Sequence, residues 1–357
     1  MKKLFIIAAV AAGAMACSND KAVNEASKAQ GNAIGFRSVT QKNTRATEID
    51  ITNIKDFKAF GFWSGDFKFM HNVNVVRNTS GAWEYSPLRY WPSTGTPAND
   101  LVDFYAYSPA GSRGVTTVFA ETATDPVITY TVPTAAGLQE DFLVAAAVDQ
   151  NSTNVPVLVN FKHALSQLVF EARSGLDGAI FNIENIEITT LKYKADLDLS
   201  AATLAWSNVD AGISDFSAAL ATLPVIYNTD LTKFSRISGP NDGLMVLPQT
   251  LALGTGTDTT PADGIPDDIA AAHYLVVTYS AELASNNLEI VPAGTKVYMP
   301  IQAAVPGGGF LMGKKYIFQL TMSTGLTPIV FNVNAVEAWD PDTDGDGDVD
   351  DDDIVKL

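Results

Sequence analysis

Cys17 is the one cysteine in the 357 residues, and its surroundings suit a single kind of chemistry. Lys2 and Lys3 give a short positive start. Leu4 to Met15 is an apolar run, too short to span a bilayer and long enough for the core of an export signal. Small residues, Ala14 and Ala16, flank Met15 just before the cysteine. This is the shape of a lipobox. In that reaction the Cys17 thiol forms a thioether to a diacylglyceryl group, and residues 1–16 are cut away as a signal peptide. The mature chain is then anchored by its first residue rather than by a spanning helix. An ordinary secretory signal with an incidental cysteine is the competing reading.

A second candidate site closes the sequence. Asp342, Asp344 and Asp346 fall at positions 1, 3 and 5 of a calcium loop, with Gly347 at 6, where the chain must turn sharply. Asp348 offers its backbone carbonyl at position 7, Val349 is the apolar residue at 8, Asp350 can act through water at 9, and Asp353 stands at 12. Calcium needs six to eight hard oxygens on a curled loop, and this register supplies them. Aspartate rather than glutamate at 12 resembles dockerin loops. Phe331 to Trp339 reads as strand, so no helix leads in, and there is no second loop. The alternative is a solvated run of like charges.

Other chemistry is hard to find. His71, His163 and His273 are far apart, each in an apolar or strand context, and read as structural. There is no HExxH, no GxSxG and no free cysteine for a nucleophile, so the chain is not expected to be an enzyme. Trp63, Trp83, Tyr90 and Trp91 could form a sugar-stacking platform, although aromatics in strand patterns are more often core. The net charge of −17 argues against nucleic acid and against anionic lipid as electrostatic partners. Nine aspartates against one lysine lie in residues 340–357, so nearly half of that charge belongs to the tail.

The elements that carry these residues are strands. Short alternating or apolar runs recur at Ile34–Val39, Asp56–Trp63, Val102–Tyr107, Val127–Val132, Phe142–Val148, Val155–Phe161 and Leu168–Ala172. A second series follows at Ile183–Leu191, Leu197–Trp206, Leu244–Leu247, Tyr274–Tyr279, Lys296–Ile301, Tyr316–Met322 and Ile329–Val336. With Gly, Pro and Asn between them, they predict antiparallel β-sandwiches. The spacing over Asp215–Leu223 admits one short helix, and Asp258–Asp268 reads as a surface loop. A turn-rich stretch near residues 174–178 separates the two series. The expected division is a lipidated tether and pro-strand over 17–45, sandwiches over 46–175 and 176–339, and an acidic tail over 340–357.

Several blocks then resemble the fimbrillin-like lipoproteins of Bacteroidetes. They are Thr44-Arg45-Ala46; Tyr90-Trp91-Pro92 with Val102 to Pro109; Phe161-Lys-His163-Ala-Leu165-Ser-Gln-Leu168-Val-Phe170; Leu247-Pro248-Gln249; Gly313-Lys-Lys-Tyr316-Ile-Phe318; and Val336-Glu-Ala-Trp339. The resemblance implies an all-β fold of two transthyretin-like antiparallel β-sandwich domains in tandem. It implies a surface lipoprotein of the outer membrane, a fimbrium after processing, and other fimbrial subunits as partners in a homo- or hetero-polymer serving adhesion. It also implies assembly by strand exchange after an arginine-specific protease cuts between Arg45 and Ala46. Ile34 and Phe36, on one face of the candidate pro-strand, could plug their own domain until that cut. Ile329 to Trp339 could donate a strand. The acidic tail after it departs from the family pattern and suits a tip or accessory subunit that only accepts one. A non-polymerising surface lipoprotein that binds a glycan or host protein is the other class.

Overall fold

The computed structural model describes residues 33–40, 54–93, 100–207, 209–210, 212–220, 224–227, 230, 232–238, 243–258, 264–324 and 328–336. Within them the chain is built from strands. The first sheet runs in the order β1 (Phe36–Thr40), β9 (Val157–His163), β8 (Leu143–Gln150), β5 (Val102–Ser108), β2 (Asp56–Trp63), β3 (Asp66–Arg77) and β4 (Trp83–Glu84). Side chains alternate between the two faces of a strand. Val102, Phe104 and Ala106 of β5 join one apolar cluster, while Tyr105 and Tyr107 join the other. The sheet is thus buried on both faces, which is why nearly every residue of β5 is apolar.

One face is covered by a small sheet in the order β13 (Trp206–Ser207), β12 (Lys194–Asp198), β7 (Val127–Thr131) and β6 (Val115–Thr117). Ile128, Tyr130, Ala195 and Leu197 bring its apolar side to the larger core. The opposite face carries Phe57, Phe104, Val157, Val159 and Phe161, and Trp83 of β4 closes it together with Ile34, Ile54, Tyr85 and Trp91 from irregular segments.

Two further sheets share the larger core. One runs β16 (Ser235–Arg236), β10 (Ser166–Ser174), β22 (Lys315–Met322), β23 (Ile329–Val336), with β17 (Leu244–Val246) also on β10. The other runs β14 (Ile213–Ser217), β11 (Ala179–Lys192), β19 (Tyr274–Leu283), β20 (Glu289–Pro300), with β15 (Val225–Ile226) on β11. Leu168, Phe170, Phe318 and Leu320 from the first meet Phe181, Ile188, Leu275 and Val277 from the second in one cluster. A two-stranded piece, β18 (Gln249–Thr250) with β21 (Gly309–Phe310), completes the described pairings.

The expected all-β architecture is what the chain adopts. Details differ. Two pairings are parallel, β1 with β9 and β10 with β22. Asp215 to Ser217 are not helical: Ile213–Ser217 is a strand paired with β11, because Phe216 is needed in the core. The expected strand Leu197–Trp206 is broken in two. The Asp198 carboxylate accepts from the Ser200 N–H at 2.9 Å and its hydroxyl at 2.7 Å, which turns the chain there. β10 ends at Ser174 and pairs over eight residues with β22, while β12 begins at Lys194 and pairs with β7.

Candidate functional site

The residues with most bearing on function lie at the edge of the seven-stranded sheet. Residues 33–40 lead into and form its last strand, β1, and are held from two sides. On one side β1 runs parallel to β9, with Phe36 opposite Val157 and Ser38 opposite Val159. The Val157 N–H donates to the Gly35 carbonyl at 2.8 Å. On the other side Ala33 bridges Tyr90, and the Ile34 N–H donates to the Arg89 carbonyl at 2.9 Å. The Tyr85 hydroxyl ties the two together. It donates to the Ile34 carbonyl at 2.9 Å and accepts from the Arg89 N–H at 3.2 Å. Burial pushes the Tyr85 pKa up, so the phenol stays a donor.

The inward side of this strand is apolar and fully packed. Ile34 and Phe36 are each 2% exposed. The Phe36 ring meets Phe57, Tyr85 and Phe104 edge to face, with centroids 5.6–5.7 Å away. Each such side chain contributes about 2–3 kcal/mol by leaving water. Arg37, between them, faces solvent. The third inward residue is Ser38, 1% exposed, and its hydroxyl has no hydrogen-bond partner among the described residues. A strand at a sheet edge has a ladder on one side only, and a parallel ladder is the weaker kind. The core on this face therefore depends on a segment whose strand ladder runs along one side only.

The chain matches the fimbrillin-like family over residues 31–339. It belongs to that family. Solved structures of similar fold include a candidate cell adhesion protein from Bacteroides uniformis, 15% identical, with 85% of this chain and 97% of that one covered and a TM-score of 0.52. The fimbrial anchor protein Mfa2 from Porphyromonas gingivalis is 7% identical, covering 85% and 95% of the two chains, with a TM-score of 0.37. The tip fimbrial protein Mfa3 from the same organism is 9% identical, covering 78% and 93%, with a TM-score of 0.34. No curated protein sequence matches the chain. Membership makes this a fimbrillin-like chain rather than an enzyme.

The other candidate residues of this fimbrillin-like chain gather no second site among the described residues. Cys17, Arg45, Ala46 and the aspartates Asp342, Asp344, Asp346, Asp348, Asp350 and Asp353 lie outside the described residues. The aromatic platform does not form. Trp91 is 4% exposed in the core, Trp63 and Trp83 are half-buried against that core, and only Tyr90 is open to solvent. The histidines are structural. His71 Nε2 lies 2.8 Å from the Phe119 carbonyl, and His163 Nδ1 lies 2.8 Å from Asp141 Oδ1. His273 Nδ1 accepts the Ala252 N–H at 2.8 Å, and burial holds its pKa below the usual imidazole range. In the loop that ends at Asp268, the Tyr274 hydroxyl and the Thr255 N–H hold the Asp268 carboxyl below its ordinary pKa. Among the described residues no cluster of three metal-ligating side chains occurs.

Sequence reasoning singled out Ile34 and Phe36 but missed Tyr85 and Ser38. Tyr85 sits in a stretch with no periodicity, and its role depends on a contact 51 residues away.

Proposed function

We propose that this chain is a fimbrial subunit serving adhesion, tethered to the outer membrane by lipid on Cys17 and assembled by strand exchange. An arginine-specific protease would cut between Arg45 and Ala46, remove the strand that holds Ile34 and Phe36, and leave the edge of β9 bare. A bare edge beside an uncovered core binds another strand readily. Other subunits of the same fibre supply that strand. The two-sandwich division at residues 175–176 belongs to this reading, with each unit contributing strands to its neighbour's sheet. The acidic tail is assigned to calcium, through Asp342, Asp344, Asp346 and Asp353 by side chain, the Asp348 carbonyl, and Asp350 by way of water.

One observation supports it above the rest. Residues 2% exposed in the core belong to the outermost strand of the sheet, and residues 41–53, which include Arg45, lie between that strand and the body. Limited digestion with trypsin tests it. The expected product has Ala46 as its N-terminus and forms ladders that survive SDS on unboiled gels. A trimmed chain that stays monomeric at full stability would make residues before Ala46 a mere tether and favour a non-polymerising surface lipoprotein.

A further inference from the structure

Where β14 meets β11 the ladder carries a bulge. Ile188 pairs with Phe216 and Leu191 with Ser214, so Thr189 and Thr190 stand together opposite Asp215. Such a bulge re-aims side chains and leaves backbone groups outside the ladder. Thr190 takes up the extra length in the left-handed region, at φ 58°. That region is costly for a β-branched residue, and the strain persists only where the surroundings hold it. Two bonds hold it here. The Thr190 N–H donates to Asp215 Oδ1 at 2.9 Å, and the Thr190 hydroxyl donates to the Ala272 carbonyl at 2.6 Å.

The bulge lines a cavity of about 500 Å³. Thr189, Thr190, Ser214 and Asp215 give its polar wall, and Ile213 and Ile269 its apolar one. The hydroxyls have already given up their hydrogens. Thr189 donates to the Ala272 carbonyl at 3.5 Å, and Ser214 to the Asp215 carbonyl at 3.4 Å. With Thr190 spent in the same way, these side chains offer a ligand only acceptors. Asp215 is exposed, and its carboxylate takes no ion pair among the described residues. Lys192 lies cross-strand from Ile213 but does not line the cavity. Ile213, 46% exposed, is two residues from Asp215 on one strand and so shares its face.

A ligand suited to these walls brings donors, positive charge and an apolar part. We propose that the cavity at the β11 bulge binds an ammonium or guanidinium group carried on an aliphatic stem. The head donates to the Asp215 carboxylate, and charged donors on a carboxylate make the stronger class of hydrogen bond. The stem lies against Ile213 and Ile269, where its methylenes leave water. A net charge of −17 draws such cations toward the molecule. The site stands apart from strand exchange, since β11 and β14 lie outside the seven-stranded sheet.

The test titrates n-butylguanidinium into the full, isotope-labelled chain and follows the Thr190 amide by NMR, because its bond to Asp215 reports on the carboxylate. A saturable shift is expected, and n-butanol, the stem without the charge, should leave the signal unmoved. Asp215→Asn should weaken binding about tenfold, the usual loss for a charged hydrogen bond, while its amide oxygen still accepts the Thr190 N–H. Ala270→Lys, on an exposed residue at the cavity wall, should block the site with an ammonium of its own. A second probe, acetyl-Gly-Arg-Gly-amide, separates two sources of the same chemistry. Tighter binding than n-butylguanidinium assigns the site to a basic side chain of another protein, and equal or weaker binding assigns it to a small free cation. The proposal is overturned if n-butylguanidinium gives no saturable shift, if n-butanol binds as well, or if both variants bind as tightly as the parent chain.

Discussion

Replacing Phe36 by Ala should open one edge of the molecule without unfolding the rest. The ring is 2% exposed and meets three other rings within 5.7 Å. Burial of such a side chain is worth about 2–3 kcal/mol from leaving water, and its deletion adds the cost of a cavity. Phe36 lies on an outer strand, where neighbours can close over part of the gap, so the low end of measured Phe→Ala losses, about 3 kcal/mol, applies. If β1 detaches as a unit, that loss is spent locally and raises the open population about a hundredfold. The Val157 amide reports it directly, because it donates to the Gly35 carbonyl and loses that bond on opening. Hydrogen exchange measured by mass spectrometry should show residues 33–40 and 157–163 exchanging about a hundredfold faster, a local opening, with β10 and β22 unchanged. Phe170→Ala, in the core between the other sheets, should instead lower the melting temperature of the whole. Unchanged exchange in both edge segments, with a fall in melting temperature equal to that of Phe170→Ala, would refute the idea of a separable strand.

Three further outcomes are expected. Cys17→Ala should abolish incorporation of a fatty-acid analogue and release the chain from membranes, whereas equal labelling of both proteins would end the lipid assignment. Calcium titrated calorimetrically into the full chain should give heat that is lost in a chain ending at Trp339, and equal heats would leave the aspartate run without a metal role. Stability should fall as pH drops below about 6.5, the ordinary imidazole value, toward the lowered value of His273. The sign follows because unfolded His273 takes up a proton first, while the folded ring is buried and accepts the Ala252 N–H. Above that range the contribution is complete. His273→Gln should flatten this part of the stability–pH curve, and an unaltered slope would mean another group carries it.

Strands with regular alternation were legible in the sequence. Asp56–Trp63 and Ile329–Val336 were expected with the limits they have. β3, the twelve-residue strand Asp66–Arg77, was not, for a local reason. Its buried residues are Phe67, Met70 and Val75, because Asn72 sits in the left-handed region at φ 52° and register slips against β2 shift the inward side. A period of two cannot survive such a break. The parallel pairings were equally hidden, since nothing in the composition of β1 states which way its neighbour runs. Ile34 and Phe36 could be found because alternation marks a buried side. The Tyr85 clasp could not, because it is a long-range contact made by a residue in irregular chain.

The small sheet has a mechanical meaning. β7 precedes residue 175 and β12 follows it, and they zip together over five residues from Lys194–Thr131 to Asp198–Val127. A pull on the two chain ends would enter β7 at Val127 and leave β12 at Asp198, which are partners, so it would peel this ladder rung by rung rather than load it all at once. Until it opens, these distant parts of the sequence share one sheet and one apolar core rather than a connector alone.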